Sequence, residues 1–207
     1  MTGREGFLNR YNVPRGTAAQ FDRYAALLVE WQARMNLVSR STLDQFWDRH
    51  VADSAQLVDF APATPSTWLD IGAGAGFPGI VIALLTEHRV TLVEATTKKC
   101  HFLKTVVDEL GLGNVNICNR RAEALHNDGF DVISARAFAP LTRLFELGSQ
   151  SARESTRWLL LKGGNVQQEL DEARLAFDFS AELMPSRTDP RGRIVVATKV
   201  RRKAVRR

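Results

Sequence analysis

The stretch Asp70-Ile71-Gly72-Ala73-Gly74-Ala75-Gly76-Phe77-Pro78-Gly79 has the residue types and spacing to hold a small ligand. Alternate glycines let the chain turn tightly and let a ligand come within van der Waals reach of the backbone, which a Cβ would prevent. Asp70, at the head of the turn, opposes a pyrophosphate and suits an ammonium group. Glu94 follows Leu92-Val93, and a carboxylate there can accept both hydroxyls of a ribose. Gly74-x-Gly76-x-x-Gly79 also satisfies the dinucleotide fingerprint, with Glu94 as its downstream acid. The residues therefore leave two ligands open, a nicotinamide dinucleotide and S-adenosylmethionine, which carries an ammonium and no phosphate. Asp70 favours the second.

These groups need elements to position them. Trp68, Leu69 and Ile71 predict a strand over 67–71, and Ile80 to Leu85 predict a helix over 78–87, with Pro78 in its first turn where a missing N–H is no loss. Strands at 90–94, 114–118, 130–135 and 157–161 and helices at 97–111, 140–152 and 166–177 follow. Alternation of this kind implies parallel strands with helices on both faces. Two last strands, 179–184 and 192–199, are joined by a short Pro/Gly link and should form an antiparallel hairpin. The expected fold is thus α/β and Rossmann-like, a mostly parallel seven-stranded sheet ending in that hairpin.

Ahead of the sheet, Phe21, Tyr24, Leu28, Trp31 and Met35 mark a helix over 18–35, and Leu43 to Val58 mark a second. The second carries Arg49-His50-Val51-Ala52-Asp53-Ser54, where His50 and Asp53, three apart, share a face. Packing and a site role are both open for that pair. Residues 1–16 show no periodicity and read as an irregular lead-in. The expected division is an N-terminal helical extension over 1–66, a core over 67–200 and a basic tail over 201–207.

Composition narrows the function classes. The 207 residues are 44% hydrophobic and 25% charged, as in a folded globular domain rather than a disordered one. Cys100 and Cys118 have neither metal-ligand nor disulfide-framework spacing. No leader opens the chain and its longest apolar stretch falls far short of the roughly 20 residues of a membrane span. A cytoplasmic protein without metal or membrane attachment is expected. Net charge is +5, with part of the excess in Lys199 to Arg207, an electrostatic footprint suited to a polyanion.

In an open parallel sheet, ligands bind beyond the carboxyl ends of the strands. Those ends are Asp70 to Gly79, Glu94 to Lys98, Arg120 to Glu123, Arg136 to Pro140 and Lys162 to Gly164. A strand ending Asp-x-Gly-x-Gly-x-Gly, an acid ending the next strand and the final hairpin resemble the class I S-adenosylmethionine-dependent methyltransferases. Asn36-Leu37-Val38-Ser39, Arg49-His50-x-x-Asp53-Ser54, the glycine stretch, Arg121-Ala122-Glu123, Ser134-Ala135-Arg136-Ala137-Phe138-Ala139 and Leu161-Lys162-Gly163 together resemble one family within that class. It is the bacterial small-subunit (16S) rRNA guanine-N7 methyltransferase family, also called glucose-inhibited division protein B.

The resemblance implies methylation of a guanine N7 in the decoding-region loop of 16S rRNA, acting on the RNA or the small ribosomal subunit, by a monomer. It implies that Gly72 and Phe77 line the cofactor, that Ala122 and Glu123 meet its adenine and that Arg136 touches it. With Asp70, Gly74, Gly76 and Glu94 these make the expected cofactor set. Arg136, Lys162 and Phe138 are the expected catalytic group: Arg136 for a carboxylate or phosphate, Phe138 to stack on the target base, Lys162 for phosphate, with Arg120, Arg121 and the tail as further phosphate contacts. The chain reads Ala135-Arg136-Ala137 where the family more often has Ser-Arg-Ala, so Ser134 is assigned no role. An inactive RNA-binding module of the same fold is the remaining alternative.

Overall fold

Strand β1 (Thr67–Ile71) lies at the centre of the molecule, buried at Trp68, Leu69, Asp70 and Ile71. The computed structural model describes residues 3–125, 129–136 and 138–204. Strands β2 (Arg89–Val93), β3 (Val115–Cys118), β4 (Phe130–Arg136), β5 (Ala152–Lys162), β6 (Phe177–Pro185) and β7 (Arg193–Arg202) complete a seven-stranded sheet in the order β3-β2-β1-β4-β5-β7-β6. All neighbours pair in parallel except β7, which runs antiparallel to both β5 and β6. The order reverses between β1 and β4, the switch point where a crevice opens beyond the strand ends.

Alternate residues of the strands feed two cores. Trp68, Leu92, Val132, Leu159 and Ile194 pack with helices α2 (Arg15–Gln32), α4 (Gly79–Leu85) and α5 (Thr97–Leu110). Leu69, Ile71, Ile133, Leu160 and Val195 pack with α6 (Leu141–Gly148) and α7 (Val166–Ala176) on the other face. Each fully buried large side chain contributes about 1.5–3 kcal/mol. The N-terminal segment belongs to the first core, through Phe21, Tyr24, Leu27 and Leu28.

Three expectations need correction. Residues 3–10 are helical, α1 (Gly3–Arg10), and not an irregular lead-in. Phe7 is buried against Phe21 and Trp47, and the Gly3 N–H donates to Asp48 Oδ1 at 2.7 Å, so tertiary contacts hold a turn that has no amphipathic period of its own. The second N-terminal helix is broken into a 3₁₀ turn (Arg40–Gln45), a π turn (Phe46–Ala52), the short α3 (Asp53–Ala55) and another 3₁₀ turn (Gln56–Phe60). The helix expected to reach residue 152 ends at Gly148, and β5 begins five residues early because Ala152 pairs with Phe130. Among the described residues no helix is long and apolar enough to cross a membrane, and no group of three or more His, Cys, Asp or Glu is placed to hold a metal ion.

Candidate active site

The glycine bend is tied to the end of β2: Gly72 and Ala73 N–H both donate to Val93 O, at 2.9 and 3.0 Å. Glu94 extends the tie, accepting from Gly74 N at 3.0 Å and Thr96 N at 2.8 Å. A carboxylate has about four lone-pair sites, so Glu94 keeps capacity for further donors where it borders the cleft. Gly74, at φ +55°, has open space where its Cβ would stand, with only Gly72 O within reach among the described residues, at 3.7 Å. That stretch of backbone borders the cleft.

Gly76 does not. A Cβ there would meet Ile80 Cγ1 at 2.6 Å and Tyr24 Oη at 2.7 Å, and Tyr24 donates its hydroxyl proton to Ala75 O at 2.5 Å. Gly76 is needed for inward packing and, unlike its neighbours, is not among the residues that border the cleft. Asp70 is also turned inward. It is fully buried, with Oδ2 accepting from Gly79 N and Oδ1 from Ser134 Oγ, each at 2.9 Å, while Ser134 Oγ accepts from Trp68 Nε1 at 2.8 Å. Burial pushes its carboxyl up to about 7. The expected open carboxylate is instead a strut across the bend, and Ser134, which was assigned no role, holds it.

The bend and the N-terminal extension meet at Arg136, on the end of β4. Its guanidinium lies 4.9 Å over the ring of Phe77, and Phe77 is stacked between Tyr24 and His50 at centroid distances of 5.2 and 5.0 Å. Arg136 Nη1 donates to Arg49 O, and Nη2 to His50 Nδ1, both at 3.0 Å; Asp53 Oδ2 lies 3.8 Å from Nη1. The π turn thus brings His50 and Asp53 to one guanidinium, a use of irregular helix common at functional sites. An arginine only donates, so Nδ1 accepts and the neutral ring carries its proton on Nε2. That buried nitrogen has no hydrogen-bond partner among the described residues. Burial, then the Arg136 charge, holds His50 down at about 4. Burial raises the Asp53 carboxyl and lowers the Arg136 guanidinium.

Lys162 is paired and not free for phosphate. Nζ donates to Ala139 O at 2.7 Å and lies 2.6 Å from Glu169 Oε2, which also accepts from Leu141 N at 2.9 Å. These contacts clamp the loop that carries Phe138. The Phe138 ring is half exposed and lies against Gly72, where a Cβ would fall 2.2 Å from Cδ2.

Together these groups border a cleft of about 1040 Å³ at the switch point. A second lobe of about 370 Å³ shares Gly72, Glu94 and Phe138 with it and is walled by Ala122, Glu123, Arg120 and Arg121. Glu123 is ion-paired with Arg143. The expected residues therefore converge on one crevice, except Asp70 and Gly76, which lie behind its wall. The far wall was missed: the β6–β7 loop, where Asp189 pairs with Arg49 at 3.1 Å, Thr188 donates to Asp53 Oδ1 at 2.7 Å and Arg187 N donates to Gln56 at 2.6 Å. Its signal was the run Ser186-Arg187-Thr188-Asp189-Pro190-Arg191-Gly192-Arg193, dense in arginine yet read only as a link.

Sheet order, final antiparallel strand and crevice define a Rossmann-like class I methyltransferase fold. Solved structures share it: a mutant of MtNAS in complex with S-adenosylmethionine superposes with TM-score 0.61 at 18% identity, covering 96% of this chain and 84% of that one. A SAM-dependent methyltransferase from Aquifex aeolicus gives 0.56 at 14%, covering 77% and 93%. The family model described as rRNA small subunit methyltransferase G matches residues 17–189. Proteins named ribosomal RNA small subunit methyltransferase G are 42% identical in Rhizorhabdus wittichii, over 91% of this chain and 88% of that protein, and 45% in Caulobacter vibrioides, over 87% and 84%. The chain belongs to the rRNA small subunit methyltransferase G family.

Proposed function

We propose that the protein transfers a methyl group from S-adenosylmethionine to N7 of a guanine in the decoding-region loop of 16S rRNA. Family membership supports a methyl donor over a dinucleotide. The crevice fits that donor: open glycine backbone at Gly74, Glu94 with lone pairs to spare, and a lobe floored by Ala122 for a flat base. In this reading Glu94 takes the ribose hydroxyls, Ala122 and Glu123 the adenine, and Arg136 the carboxylate. Phe77 and Asp70 act through the wall they brace.

When bound, the donor supplies an electrophilic methyl on a sulfonium. Guanine N7 offers an in-plane lone pair and no proton, so the protein's task is alignment, which contributes up to about 7–11 kcal/mol in favourable systems. Phe138 stacks on the base, and Lys162 positions the Phe138 loop. One observation carries the choice of acceptor atom: the loop after β4 reads Arg136-Ala137-Phe138-Ala139-Pro140 and has no Asn or Asp side chain to hold a base amine. That favours an acceptor with no amine protons to place. Incubation with labelled S-adenosylmethionine and undermethylated small subunits, followed by digestion to nucleosides, should yield label in 7-methylguanosine. Label in any other nucleoside overturns the proposal.

A further inference from the structure

Among the described residues four carboxylates border the main cleft, and they differ in what already holds them. Glu94 accepts from Gly74 N and Thr96 N, Asp189 from Arg49 and from Arg191 N, and Glu169 from Lys162 and Leu141 N. Asp53 differs. Asp53 Oδ1 accepts from Thr188 Oγ1 at 2.7 Å and Gln56 Nε2 at 3.2 Å, which fixes the carboxylate plane, while Oδ2 receives no hydrogen bond among the described residues and has Arg136 Nη1 at 3.8 Å. The fixed oxygen is held by the extension and the β6–β7 loop. The other is left for a donor.

We propose that Asp53 is the residue that selects guanine, its Oδ2 accepting from N1–H and the N2 amino group of the flipped-out target base. This rests on the reading of guanine N7 as methyl acceptor. Guanine is the base whose Watson–Crick edge presents a ring N–H beside an amino group, two adjacent donors that match a carboxylate; adenine and cytosine place an acceptor beside their amine, and uracil flanks its N–H with carbonyls. N7 lies on the opposite edge of the purine, so a base gripped by Asp53 turns N7 away from it. Enzymes acting on a base take it out of the stack and read this edge by hydrogen bonds. Arg136, close to Oδ2 without bonding to it, opposes the burial that raises the Asp53 carboxyl, while Thr188 and Gln56 orient it.

The test compares guanosine with inosine, which lacks the N2 amino group, at the target position of ligated 16S rRNA assembled into small subunits. The wild type should lose about 10-fold or more in kcat/KM on inosine, the scale of one hydrogen bond to a charged group. Asp53→Asn should be slower on guanosine and lose that discrimination, with unchanged affinity for S-adenosylmethionine. Thr188→Val keeps the carboxylate but loosens its plane, and should narrow the discrimination without abolishing it. Equal wild-type rates on both substrates overturn the proposal, as does an Asp53→Asn ratio equal to the wild type's. If Asp53→Asn does not fold, Asp53→Ser takes its place with the same two outcomes. Failure of the underlying reading shows separately, as a wild-type methyl recovered at an atom other than N7.

Discussion

Ser134 on β4 stands directly beside Asp70 on β1 in the sheet register, and its hydroxyl donates to the buried carboxylate at 2.9 Å. Ser134→Ala leaves Asp70 Oδ1 and Trp68 Nε1 without their shared partner. Leaving a buried polar group unsatisfied costs about 1–3 kcal/mol. Urea unfolding should show that loss, and cofactor affinity should fall with it.

The Asp70 carboxyl, raised to about 7 from 3.8, binds its proton in the folded state at pH values where the unfolded chain has lost it. Its contribution to stability therefore falls as pH rises from about 4 to about 7 and is constant above. His50, held near 4, works in the opposite sense: the unfolded chain binds the extra proton, so its contribution rises with pH over about 4 to 6.5. The stability of Asp70→Asn relative to the wild type should thus increase from pH 4 to 7, by up to about 4 kcal/mol. Parallel curves in denaturant titrations would contradict the burial of that charge.

Gly74→Ala and Gly76→Ala should fail differently. At 76 the methyl meets Ile80 and Tyr24 at φ +93°, and overpacking there should cost about 1–3 kcal/mol of stability. At 74 no packed atom is met, so the fold should lose about 1 kcal/mol from the positive φ while binding of S-adenosylmethionine drops further. Calorimetry of both variants separates an inward glycine from a ligand-facing one.

Arg136→Lys keeps the charge but cannot place a planar fork on both Arg49 O and His50 Nδ1. A fall of about 10- to 100-fold in kcat/KM is expected, the scale of one lost charge-assisted bond. Steady-state kinetics on small subunits measures it.

Lys162→Met separates clamp from phosphate contact. As a clamp on Ala139 and Glu169, its loss should lower kcat and leave the salt dependence of RNA binding unchanged. A slope flatter by about 0.7 to 0.9 would make it a phosphate contact after all.

Much of this was legible in the chain. Strand ends line the crevice wherever the topology is right, so Gly72, Gly74, Glu94, Ala122, Arg136 and Phe138 follow from periodicity and position. Asp70 and Gly76 were placed correctly along the chain but faced the wrong way, because a motif specifies residue types and not which side of a bend each presents. Lys162 was assigned a phosphate because its partners, Glu169 and the Ala139 carbonyl, arrive from distant elements. The basic run expected as a tail from 201 is divided: Arg201 and Arg202 lie in β7, Arg201 pairs with Glu154, and residues 205–207 fall outside the described residues.

Transfer to a target that lacks the proposed nucleophile is the most direct measurement. Small subunits carrying 7-deazaguanosine at the target position are compared with normal ones, in a single turnover with labelled S-adenosylmethionine. The account predicts label in the normal rRNA and none in the 7-deaza rRNA. Equal labelling of the two would contradict it.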